Sequence, residues 1–96
     1  MIALFVRYRV KAGKMEAVIE ALGEMAPLAR SEEGCREYLV QRSKDDADGL
    51  ALYEIYDDDE ALAVHAGTEY FKRIISDRVV PMLKSREREY YELLDV

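Results

Sequence analysis

A single cysteine, a single histidine, two prolines, five glycines and no tryptophan occur in the 96 residues. Cys35 has no second cysteine to pair with, so the chain is not a disulfide-stapled scaffold, and a reducing, cytoplasmic setting is expected. No apolar run approaches the roughly 20 residues of a membrane span. The opening MIALFVRYRVKAGK has no basic stretch ahead of its apolar residues and no small-residue cleavage site, so it reads as a strand rather than a signal peptide. Basic residues are in deficit, 14 Lys and Arg against 20 Asp and Glu, for a net charge of -6. Such a surface repels phosphate backbones and anionic lipid headgroups, which argues against nucleic acid and membranes as partners. The charges are scattered, so a local basic pocket stays open. No linker or internal repeat divides the chain.

Half the residues are apolar or aromatic, 50%, which excludes a disordered chain. The length fits one domain, residues 1–96, large enough to hold a core without a metal or disulfide staple. Residues 2 to 10 alternate as a strand does: Ile2, Leu4, Val6, Tyr8 and Val10 fall on one face, Ala3, Phe5, Arg7 and Arg9 on the other. From Lys14 the period lengthens. Met15, Val18, Ile19, Leu22, Met25 and Ala26 recur at steps of three and four, the stripe of an amphipathic helix. Pro27 removes the hydrogen bond to the Gly23 carbonyl, so a kink or a loosened last turn is expected there.

Cys35 to Arg42 and Leu50 to Tyr56 read as two further strands joined by the turn-rich loop Ser43 to Gly49. Leu52, Glu54 and Tyr56 share one face of the second. Asp57-Asp58-Asp59-Glu60 opens a helical region, and Asp57 with Glu60 has capping-box spacing. Gly67 interrupts that region and Thr68 can cap the next, whose stripe is Phe71, Ile74, Ile75, Val79 and Leu83. Arg86 to Leu94 closes the chain as a fourth strand. The order β-α-β-β-α-β predicts an α+β ferredoxin-like split βαβ fold, a four-stranded antiparallel sheet with both helices on one face. Strands with large apolar groups on both faces predict a homodimer joined through the uncovered face.

Few side chains carry chemistry. Asp46-Ala47-Asp48-Gly49 resembles part of a calcium loop, but Lys44 and Ile55 stand where that loop needs oxygen ligands, so it reads as a solvated turn and no metal site is expected. Cys35 reads as a small residue at a strand start. His65 is the only side chain with an ordinary pKa near neutrality. It falls near the end of a short helix, a position expected to be near the surface and tolerant of alanine. It is either a structural histidine or a general base. Seven tyrosines accompany it and can line an aromatic pocket. Glu54, within the apolar LALYEIY, is either paired with Arg7 or Arg9 or poised in a cavity.

SEEGCREYLVQRS followed by LALYEIYDDDEALAVHAGTEYFKRI resembles the antibiotic biosynthesis monooxygenase domain. The matching features are EEGC with Tyr38 three residues on, LYE with a following aromatic, the acidic run, EAL, and His65 followed by T-x-Y-F. The opening strand and AGK also fit. The resemblance, closest to quinol monooxygenase-like members, implies a dimeric α+β barrel acting on a small phenolic, quinol or polyketide-like substrate with O2 and no cofactor. It implies Glu54 and His65 as catalytic groups, His65 being the base. Tyr56 is carried over with them, at a position where many relatives have Trp. Tyr38 and Phe71 are implied as pocket or core residues. Haem-degrading members use an Asn on the first strand and a Trp beside the site; this chain has Arg7 and no Trp, so haem is not implied. Isomerases of a phosphorylated hydroxyketone, the autoinducer-2 phosphate type, share the YEIYDDDEALAVH segment and are the alternative. Their anionic substrate would call on Arg7, Arg9 or Lys72. A binding module that holds an aromatic ligand without turnover is the third reading.

Overall fold

The structure, a computed structural model, describes residues 1–96. β1 (Ile2–Val10) leads through a tight turn at Gly13 into α1 (Met15–Arg30). Gly13 has φ +78°, a left-handed conformation that favours glycine. β2 (Cys35–Arg42) and β3 (Gly49–Tyr56) form a hairpin, followed by α2 (Asp59–Ala66). α3 (Phe71–Val79) and a short 3₁₀ turn, Val80–Met82, precede β4 (Leu83–Glu92). The sheet is antiparallel in the order β2-β3-β1-β4, and the helices pack on one face, the ferredoxin-like α+β arrangement.

Alternation along β1 and β3 decides which residues enter the core. Leu4, Val6, Tyr8 and Val10 are buried beside Leu50, Leu52, Glu54 and Tyr56, and they meet Val18, Leu22 and Met25 of α1 and Ile74, Ile75 and Val79 of α3. Gly34 allows α2 to come close: a Cβ there would lie 2.4 Å from the Ala61 Cβ. No helix is long and apolar enough to cross a membrane.

Three local expectations are corrected. α1 runs unbroken through Pro27 to Arg30, and Ser31 N–H donates to the Pro27 carbonyl at 3.1 Å, so the last turn is closed. The carbonyl that Pro27 leaves free belongs to Gly23 on the exposed side, where water can satisfy it. The second helix is capped by Asp58, whose Oδ1 accepts from Ala61 N–H at 2.8 Å, while Asp57 forks with Arg36 instead. The third helix winds with wider, i→i+5 hydrogen bonds and stops at Val79. Leu83 therefore opens β4, opposite Val10 across a bulge, rather than ending the helical stripe. Regular pairing ends at Glu92 because its partner, Ile2, is where β1 begins.

The cap is open to test. Asp58→Ala is expected to cost about 1 kcal/mol, read as a lower melting temperature. Asp57→Ala should cost less, because its ion pair with Arg36 is exposed.

Candidate active site

The inner face of the sheet is built in rows. Tyr38, Glu54, Leu4 and Tyr90 lie side by side across the four strands, followed by Val40, Leu52, Val6 and Arg88, then Arg42, Leu50, Tyr8 and Arg86. α2 and α3 close over the middle of these rows with Leu62, His65, Phe71 and Ile75. Between them is a cavity of ≈ 90 Å³ whose lining is mostly apolar and whose only acid–base pair is Glu54 and His65. That volume is about three waters' worth. On its β4 side the lining residues Arg86, Arg88 and Tyr90 are exposed.

His65 is not near the surface. It is 3% exposed, and its ring lies 5.0 Å from that of Tyr56, 5.3 Å from Phe71 and 6.0 Å from Tyr38. Nδ1 is 3.0 Å from both carboxylate oxygens of Glu32, at the end of the turn after α1. A carboxylate only accepts, so Nδ1 carries the proton and Nε2 holds the lone pair. Tyr70 donates its hydroxyl to Glu32 Oε2 at 2.5 Å, fixing the carboxylate in turn. Burial pushes the His65 pKa below its ordinary value, opposed by Glu32, so the ring is neutral at pH 7.

Glu54 is 3% exposed, and its Oε1 accepts the Tyr56 hydroxyl at 2.5 Å. The same oxygen stands 3.7 Å from His65 Nε2, beyond hydrogen-bond distance. No buried side-chain nitrogen or oxygen lacks a partner, so His65 Nε2 and the unbonded Glu54 Oε2 both open on the cavity. Burial raises the Glu54 pKa to about 7; the Tyr56 hydrogen bond works against the rise and Glu32 adds to it. A neutral base and a carboxyl whose pKa burial raises towards neutrality thus face the same space. This is a constellation suited to moving protons at a bound hydroxyl or enol.

Of the two alternatives for Glu54, the structure places it in the cavity. Tyr38 and Phe71 line the cavity. Tyr56 does not; it lies behind Glu54 as its hydrogen-bond donor. Arg7 is on the opposite face of the sheet, paired with Glu89 at 2.7 Å, because odd positions of β1 point away from the helices. Arg9 pairs with Asp46 and Lys72 with Asp77, so none of these three cations serves the cavity. Asp46 is further occupied by Asp48 N–H, and no three His, Cys, Asp or Glu side chains cluster as metal ligands. The half-buried Cys35 thiol has its pKa raised to about 11, mainly by burial, which leaves it protonated and unsuited to nucleophilic attack. Sequence reasoning assigns no role to Glu32, Tyr70, Tyr8, Arg86 or Arg88, although Glu32 and Tyr70 stand within the EEGC and T-x-Y-F segments. The two arginines were within reach, since RERE on a strand puts both Arg on one face and both Glu on the other. Glu32 opens the EEGC segment, but nothing local pairs it with a ring 33 positions away.

The profile of the family described as antibiotic biosynthesis monooxygenase matches residues 1–77. The chain belongs to this family. Its fold is shared across the full length with solved relatives. A Nitrosomonas europaea protein described as a candidate antibiotic biosynthesis monooxygenase is 27% identical, with a TM-score of 0.91 over 98% of this chain and 99% of its own. A Caulobacter crescentus protein described in the same way is 25% identical, with a TM-score of 0.92 over 98% and 90%. Rv0793 of Mycobacterium tuberculosis is 26% identical, with a TM-score of 0.90 over 99% and 96%. No curated protein sequence matches the chain. The match covers His65, Glu54 and Glu32 alike, and the β4 side of the cavity lies beyond it.

Proposed function

We propose that this antibiotic biosynthesis monooxygenase-family chain oxidises a small phenolic or quinol substrate with O2, using His65 as general base. The observation that carries the reading is the Nδ1–H bond to Glu32, which leaves the Nε2 lone pair of a neutral imidazole opening on the apolar cavity. A substrate hydroxyl placed between Nε2 and Glu54 gives up its proton to His65, and Glu32 stabilises the imidazolium that forms. The resulting phenolate is electron-rich enough to reduce O2. For hydroquinone the balance is one quinol and one O2 to hydroxyquinone and one water, so no external reductant is needed. Low polarity in the cavity keeps water from competing.

A second reading has an observation of its own. Glu54, with its pKa near 7 and 3.7 Å from the base, can return the proton at a neighbouring carbon or oxygen, which is the two-point transfer of a hydroxyketone isomerase. The test is a screen of hydroquinones and phosphorylated hydroxyketones that follows oxygen and product together. Oxygen uptake with product is expected. Product without oxygen selects the isomerase, and binding without turnover of any kind contradicts both. The pH profile adds a further expectation. The rate should rise with pH through a pKa below the ordinary imidazole value, as His65 loses its proton. It should stay level above pH 7 for the oxygenase, and fall above about 7 if Glu54 must act as an acid.

We also propose a homodimer. Phe5, Tyr53 and Tyr91 cluster on the face of the sheet that the helices leave bare, with ring centroids 4.8 and 5.8 Å apart, and Leu39 and Leu93 extend the apolar patch. Burial of such a patch against a second copy supports pairing through the sheets. Sedimentation at micromolar concentration should give twice the chain mass, and Phe5→Asp should give a folded monomer. A wild-type monomer contradicts the pairing.

A further inference from the structure

β4 carries two arginines whose charge the fold does not use. Arg86 and Arg88 lie on its inner face, opposite Tyr8 and Val6, and both line the cavity. Every other arginine of the chain bonds to a carboxylate or a carbonyl within the fold. The nearest acids in sequence, Glu87 and Glu89, cannot neutralise these two, because strand alternation sends them to the opposite face, where Glu89 is held by Arg7. Two residues along a strand are about 7 Å apart, a spacing from which two guanidinium groups can converge on one anion. The acidic balance of the whole chain, -6, makes a pair of free cations at the mouth of its apolar cavity the more telling. Their field reaches inward as well. It opposes the rise of the Tyr8 hydroxyl pKa, which burial and then Glu54 still carry to about 12.

We propose that Arg86 and Arg88 form an anion clamp at the cavity mouth, so that the substrate carries a carboxylate or phosphate on the side remote from its reacting hydroxyl. The inference rests on the proposed reading of the cavity as a substrate site and adds the substrate class. It also follows from size. With ≈ 90 Å³ inside, only the reacting end enters, and the outer part of the substrate lies along the inner face of β4, over the two guanidinium groups. An anion so held has its opposite end directed at His65 Nε2 and Glu54. Arg88, one row from Glu54, is the nearer of the pair to the chemistry, and Arg86 is one row further out.

The test compares ligands that differ only in the anion. Calorimetric titration is made with hydroquinone against 2,5-dihydroxybenzoate, and with dihydroxyacetone against its phosphate. The wild type should bind the charged member of at least one pair about 10- to 100-fold more tightly, the scale of one or two charge-assisted hydrogen bonds. Whichever pair shows the larger ratio identifies carboxylate or phosphate as the preferred group. The ratio should shrink with added salt. It should collapse towards one in Arg86→Gln/Arg88→Gln, and persist in Arg7→Gln on the opposite face. Arg88→Lys should keep part of it, since a point charge remains where the fork is lost. Both arginines are exposed and unbonded, so these variants should melt as the wild type does. Equal binding of charged and neutral members, no binding of any of the four, or a preference that survives the double substitution would each overturn the clamp. Oxygen uptake with uncharged hydroquinone is read separately. If it occurs without an anion preference, the oxygenase stands and the clamp falls. If the preference is found without turnover, the clamp stands and the oxygenase falls.

Discussion

His65→Asn is expected to fold, to bind substrate, and to lose turnover by roughly 100- to 10,000-fold, the scale of a positioned general base. Asparagine is the informative replacement because its amide N–H can donate to Glu32 while it offers the cavity no basic nitrogen. Alanine is less clean. At 3% exposure the imidazole fills space between Tyr56, Phe71 and Tyr38, so its removal leaves a void and strips Glu32 of a donor. His65→Ala should therefore lose stability, by roughly 1–3 kcal/mol, as well as activity. If His65→Asn is stable and turns over at the wild-type rate, the base lies elsewhere.

The second large effect is at Glu32. In Glu32→Ala two donors lose their acceptor, His65 Nδ1–H and the Tyr70 hydroxyl. The expected destabilisation is roughly 1–3 kcal/mol for each orphaned donor. Catalysis should fall too, because no anion remains to fix the tautomer or to stabilise the imidazolium. One charge-assisted hydrogen bond of roughly 1.5–3 kcal/mol corresponds to roughly a 10- to 100-fold loss. A merely structural role is separated by the pH profile. Glu32 opposes the burial that lowers the His65 pKa, so removing its charge should move the ascending limb to lower pH. Glu32→Gln keeps an acceptor oxygen without the charge. It should recover much of the stability, retain the shifted limb and stay slow. An unmoved limb in both variants would make Glu32 a packing residue only.

These two residues show what could be read in the sequence and what could not. Alternation in β1 and β3 and the stripe of α1 were legible because each is a local period set by one buried face, and the element order was enough to indicate the fold. His65 and Glu54 stood out by residue type alone, an only histidine and a carboxylate inside an apolar strand. Depth was not legible. A short helix gives no sign that its histidine is enclosed by Phe71, Tyr56 and Tyr38, and it is that burial which lowers the His65 pKa. Glu32 and His65 meet only through the packing of the α1–β2 turn against α2, which Gly34 permits. Arg7 lies in its expected strand but faces away from the cavity, paired with Glu89. Its own alternation puts it on the face away from Leu4, Val6 and Tyr8, whereas Arg86 and Arg88 lie on the inner face of β4. The helix ends shifted because capping and winding are decided atom by atom: Asp57 was drawn off by Arg36, and i→i+5 winding ended α3 at Val79.

The most direct measurement uses the fact that the chain has one histidine, so a single imidazole contributes to its nitrogen NMR spectrum. With ¹⁵N-labelled histidine at pH 7, the spectrum should show a neutral ring protonated at Nδ1, with Nε2 in the range of an unprotonated nitrogen. Addition of hydroquinone should move the Nε2 signal and leave Nδ1 nearly still. A ring protonated at Nε2, or an imidazolium at pH 7, would contradict the account of the site.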